Sequence, residues 1–169
     1  MSIKTTVQKY LSERAHKVGE TVQYGWFVFR IAEINQPPRI ETLDFQRMAS
    51  YTEDFSEVER IHNLQNAALA EYDVCESPST LCQSALVSRS YFPGREDAYI
   101  ERQETASDND SGWYIGVLNE HLDMEDPSSF TNQSLYELTI NDMRMAPYWL
   151  LPPGIVIQLE FQPDNNDIP

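Results

Sequence analysis

Asp108, Asn109 and Asp110 form a tight acidic group, and Glu120 and Asp123 follow it along the chain. Carboxylate oxygens are the ligands of hard cations such as magnesium, so Asp108, Asp110 and Glu120 define one candidate chemistry, a metal-assisted reaction. Asp and Asn are also what loops use, because their side chains bond their own backbone, and a turn is the competing reading of the same residues. Ser111 has no small-residue elbow of the G-x-S-x-G type. His16, His62 and His121 lie in separate segments, so no spacing pairs a histidine with a serine or cysteine nucleophile. Cys75 and Cys82 lack a C-x-x-C companion, which is not a zinc pattern. The six glycines are scattered and make no phosphate-cradling loop. No cofactor is expected.

Val7, Tyr10, Leu11, Ala15 and Val18 fall at helical spacing, with Gly19 as a stop signal. Tyr24–Ala32 (YGWFVFRIA) is aromatic and β-branched and predicts a buried strand. Leu43–Tyr51 reads as helical with Asp44 as a cap. Ser56 and Glu59 make an S-x-x-E capping box ahead of a stripe of Val58, Ile61, Leu64, Ala68, Leu69 and Tyr72, a helix running to about Asp73. Four extended segments follow, at 84–92, 98–104, 112–118 and 135–140, with Pro93-Gly94 turning between the first two. Asp123–Gln133 reads as a polar surface loop. Asn141 or Asp142 can cap a short helix toward Leu150 that Pro147 shortens. After the rigid Pro152-Pro153-Gly154 turn, Ile155, Ile157, Leu159 and Phe161 alternate with Val156, Gln158 and Glu160 as a one-faced strand. Trp26 and Trp113 sit in apolar runs and are expected in the core. Trp149, beside the turn in PYWLLPPG, is equally compatible with half exposure. Helices first and strands later, without β-α-β alternation, predict an α+β fold: a single domain with N-terminal helices packed on a mainly antiparallel sheet.

Of 169 residues, 27 are Asp or Glu and 12 are Lys or Arg, a formal charge of −15. Residues 103–169 carry 12 of the acids and one base, Arg144. Such a chain repels nucleic acid and anionic membranes, both of which need basic contacts, and suits a basic protein partner. The chain shows neither a signal peptide nor a run long enough for a membrane span, so a cytoplasmic protein with free thiols is expected. An exposed strand edge would allow a homodimer.

ALVSRSYF (85–92), YIERQE (99–104) and DSGWYIGV (110–117), in that order, resemble the Imm33-like immunity protein domain. Members of that family show a strand ending in Val-Ser, a short arm carrying an Arg, and an acid-Ser-Gly-Trp motif. A strand, a short helix and a Pro-Gly turn come next. Here these would be LYELTIN (135–141), the segment to Leu150, and PPGIVIQLEF (152–161). The resemblance covers about residues 84–161. Residues 1–83 form an extension packed on that core, and 162–169 a frayed tail. IETLDFQRMASYTEDF (40–55) looks similar to longer members.

The resemblance implies a cytoplasmic immunity protein that binds and blocks a cognate bacterial toxin and is not an enzyme, and it assigns no catalytic residue. Asp110, Ser111, Gly112 and Trp113 match the motif and read as structural: Asp110 caps a turn, Gly112 accepts a positive φ, and Trp113 anchors a strand. Contact with a basic toxin is then expected from Glu120, Asp123, Glu125 and Asp126 in the polar loop, and from Trp149. The alternatives are an adaptor or regulatory binding protein, and a metal-assisted enzyme using Asp108, Asp110 and Glu120.

Overall fold

A serine begins the first helix. In a computed structural model describing residues 2–77, 79–105, 107–123 and 125–160, the Ser2 hydroxyl accepts from the Thr5 N–H and starts α1 (Ile3–Ser12). Ile3, Val7 and Leu11 form its buried stripe. The helix stops well short of Val18. The Gly19 N–H bonds the Ile31 carbonyl at 2.8 Å and the Ile31 N–H bonds Glu20 at 2.9 Å. Pairing with a strand therefore removes the residues that a longer helix would need, and Val18 is left 63% exposed.

The YGWFVFRIA run folds as a hairpin rather than one strand. Gly25 adopts φ +59, which a Cβ disfavours, and the chain reverses between β1 (Thr21–Tyr24) and β2 (Phe27–Glu33), with Tyr24 paired to Phe27. β3 (Arg39–Leu43) and β4 (Tyr51–Thr52) complete a four-stranded antiparallel sheet in the order β1-β2-β3-β4. The helix expected over Leu43–Tyr51 does not form. Asp44 Oδ1 accepts from the Gln46 N–H and closes a turn, while the Asp44 N–H bonds Ser50. Phe45 in that turn stacks on Trp26 and meets Tyr136 edge-on.

α2 (Ser56–Glu71) lies where its apolar stripe predicts it, but without the capping box. Phe55 is the N-cap, and Glu59 receives the Lys4 N–H at 3.5 Å rather than capping its own helix. The box sits elsewhere. Ser134 and Glu137 satisfy each other's backbone at the start of α3 (Leu135–Asn141), which replaces the strand expected at 135–140. Leu135, Leu138 and Thr139 supply its buried face.

The second sheet runs β8-β5-β7-β6-β9, from β5 (Ser84–Ser88), β6 (Ala98–Arg102), β7 (Asp110–Val117), β8 (Phe130–Ser134) and β9 (Val156–Gln158). β5 and β7 are parallel and every other pair in both sheets is antiparallel. β8 occupies the end of the segment read as a loop. Its polar FTNQS stretch pairs only with β5, at the edge of the sheet, where no apolar alternation is needed. Asp142 caps a 3₁₀ turn, Met143–Tyr148, with Pro147 inside it. Phe161 and the tail expected at 162–169 lie outside the described residues. The fold is α+β, with two mostly antiparallel sheets and helices distributed along the chain rather than gathered at its N-terminus.

One face of each sheet builds a single core. Phe27, Phe29 and Ile31 of the first sheet meet Val87, Ile100, Trp113, Ile115 and Ile157 of the second, together with Val58 and Ile61 of α2 and Trp149 after the 3₁₀ turn. Trp113 and Trp149 cross edge-to-face at 5.5 Å, and the Trp149 Nε1–H donates to the Thr139 hydroxyl at 2.8 Å.

Candidate functional site

Strand alternation sends every second residue of the five-stranded sheet away from the core. The register aligns these residues in rows. Asn132, Leu86, Tyr114, Glu101 and Val156 face one another across all five strands in turn. Because β5 and β7 are parallel, the next row on the same face runs Phe130, Ser88, Gly116, Tyr99 and Gln158. Leu86 is 37% and Val156 60% exposed. Tyr114 and Phe130 are largely covered, yet they stand apart from the main core and contact each other at 6.1 Å between ring centroids. Tyr99 meets Tyr114 edge-on at 5.9 Å.

Gly116 makes that arrangement possible. A Cβ there would come within 2.6 Å of the Tyr99 ring and 2.7 Å of the Tyr114 ring. Burial raises both tyrosine hydroxyls, Tyr114 to about 12, and the Glu101 and Glu120 carboxylates push in the same direction. Both rings therefore present uncharged hydroxyls at neutral pH.

The acidic loop borders this face. Beyond Val117 the chain crosses to Glu120, whose carboxylate receives the Ser88 hydroxyl at 2.8 and 3.0 Å. Asp123 Oδ1 accepts from the Glu125 N–H, and Asp126 caps the 3₁₀ turn Pro127–Ser129 through Ser128. The Ser128 hydroxyl and N–H hold Asp126 below the usual carboxylate value. Asp123, Glu125 and Asp126 are exposed and Glu120 is half-buried. The loop is therefore anchored at one end to the sheet and locally closed by its own carboxylates.

Trp149, expected to contribute to contact, is fully buried at 0% exposure. Its carbonyl receives the Ser79 hydroxyl at 2.6 Å and the Trp113 Nε1–H at 3.4 Å. The aromatics on the outward side of the five-stranded sheet are instead Tyr99, half-buried, and Tyr114, buried at 8% exposure. Alternation within AYIER and DSGWYIGV could have identified both, once the inward residues were known.

The four motif residues are all used within the chain. Asp110 Oδ1 accepts from the Gly112 N–H, and the Ser111 hydroxyl donates to the Ser84 carbonyl at 2.7 Å. Gly112 has φ +76 beneath the Gln103 carbonyl, where a Cβ would collide. Arg102, buried at 4% exposure, donates to the carbonyls of Ser111, Ser77 and Leu151 and lies over the Trp113 ring. These bonds tie the start of β7 to two distant segments.

The metal reading fails on geometry. Asp110 opens β7 and Glu120 follows its far end, and at about 3.3 Å per residue the ends of such a strand lie roughly 23 Å apart. Asp108, Asp110 and Glu120 do not share a site. Among the described residues, no three His, Cys, Asp or Glu side chains are grouped to hold a metal ion. Among the same residues, no helix is long and apolar enough to cross a membrane.

The mixed sheet thus has one face in the main core and an outward face bordered by the acidic loop. The Imm33-like domain matches residues 64–168, more than half of the chain, and the protein belongs to that family of immunity proteins. The match begins inside α2, earlier than the β5 start expected from the motifs. Neither curated proteins nor solved structures give a match.

Proposed function

We propose that this protein neutralises a cognate bacterial toxin in the cytoplasm by binding it, and catalyses no reaction. The observation that carries the reading is membership of the Imm33-like family, joined to the charge distribution. Asp123, Glu125 and Asp126 project from a loop that Glu120 braces against the sheet through Ser88, so the four carboxylates approach a partner prearranged. A preformed negative surface speeds encounter with a basic protein and rejects nucleic acid and anionic lipid. The toxin surface is accordingly basic.

The test is co-expression with the toxic product of the adjacent gene. The chain should restore growth and co-purify with that product as a stable complex. Growth arrest despite full expression, with no complex recovered, would refute the proposal.

A further inference from the structure

The outward face of the five-stranded sheet contains a shaped feature as well as charge. A recess of about 110 Å³ opens where β5, β6 and β7 meet. Gly112 leaves its floor without a side chain, Leu86 and Tyr114 form an apolar wall, and Gln103, Glu104 and Asp110 line the polar side. The aligned row that crosses this region contains the exposed Leu86 and Val156 around Tyr114 and Glu101, and no cation. Protein interfaces concentrate their energy in such places, where an aromatic or apolar centre is ringed by polar groups and a partner's anchor is desolvated.

We propose that this sheet face is the toxin-contacting surface, and that a lysine or arginine side chain of the toxin seats in the recess, its stem on Leu86 and Tyr114 and its charge toward Glu104 and Asp110. This rests on the toxin-binding reading above and adds the surface and the anchoring chemistry. Charge complementarity selects the occupant. The recess is apolar on one side and carboxylate-lined on the other, which fits an amphipathic cationic side chain and disfavours an acidic segment or a second copy of this chain at −15.

Two measurements separate this proposal from the one beneath it. In the first, the labelled full-length chain is titrated with a hexa-arginine peptide and followed by amide resonances. Saturable shifts should centre on Gly112, Tyr114 and Leu86 and vanish in the Leu86→Arg variant. Shifts confined to residues 120–126, or scattered without saturation, would overturn the recess as an anchor site. In the second, Leu86→Arg and Glu104→Arg are measured against the toxin. Both positions are exposed, and unchanged thermal unfolding verifies the fold. Each should weaken Kd by about tenfold or more, the scale of an anchor residue. Unchanged Kd in both variants, with the unaltered chain binding and protecting, would overturn the surface assignment and leave toxin neutralisation standing. Failure of the unaltered chain to bind at all would remove both.

Discussion

Among single residues, the most constrained polar group is Asp142. It is buried at 6% exposure and receives Arg144 at 2.6 and 2.9 Å, the Tyr91 hydroxyl at 2.8 Å and the Gly94 N–H at 3.1 Å. Arg144 continues to the carbonyls of Arg95 and Leu159, so one ion pair binds the β5–β6 connection to the C-terminal strand. Burial pushes the Asp142 carboxyl up, but the hydrogen bonds from Arg144, Gly94 and Tyr91 outweigh it and hold the group below its ordinary 3.8. A depressed folded value has a definite sign. The stabilisation is fully present above the unfolded value and is lost as pH falls through the folded one. Asp142→Asn should therefore cost about 3 kcal/mol at neutral pH, because it leaves Arg144 without its buried counter-charge. It should also flatten the acid limb of the stability curve, as urea titrations between pH 7 and pH 3 would show. An acid limb as steep as that of the unaltered protein would contradict this role. The position of Asp142 at a helix start is legible in the sequence, but the convergence of Tyr91 and Gly94 on it is tertiary and leaves no local signal.

Elements differ in how plainly they were written. α2 carries an apolar stripe over 16 residues and was legible from period alone. β6 and β7 were legible from aromatic and β-branched content. α3 was misread as a strand because LYELTIN is short and β-rich in composition, and local capping decides the outcome: Ser134 and Glu137 supply two backbone bonds that a strand would not. The same S-x-x-E pattern at Ser56 and Glu59 is idle, since Asp54 takes the Ser56 N–H and Glu59 turns toward Lys4. The two serines should accordingly differ. Ser134→Ala should lower stability by about 1 kcal/mol, the usual cost of losing a cap, while Ser56→Ala should change it by no more than a few tenths. Thermal unfolding of both variants checks this, and equal losses would contradict it. β8 went unread for the opposite reason. An edge strand with a solvated face can be polar throughout, and its pairing is determined by β5 rather than by its own residues.

For the whole molecule, net charge is legible from composition alone, whereas the acidic constellation at Asp108, Asp110 and Glu120 does not assemble. Of the carboxylates that suggested metal chemistry, Glu120 is separated from Asp108 and Asp110 by the length of β7; Asp110 closes a turn on the Gly112 N–H, and Glu120 receives the Ser88 hydroxyl. The excess of acid after residue 102 is visible from composition, whereas the position of Glu120 beside the sheet, on the Ser88 hydroxyl, depends on tertiary structure. The aromatic part of the sheet's outward face could not be read until the inward residues were assigned, which is why Trp149 drew attention and Tyr114 did not.

The central claim is that a prefolded acidic surface captures a basic toxin, and rapid-mixing kinetics with the toxin test it most directly. The unaltered chain should associate at a rate that falls by about tenfold from low to high salt, as electrostatic steering requires. A variant combining Glu120→Lys, Asp123→Lys, Glu125→Lys and Asp126→Lys should associate slowly and lose most of that dependence. Equal rates for the two proteins at every salt concentration would contradict the account.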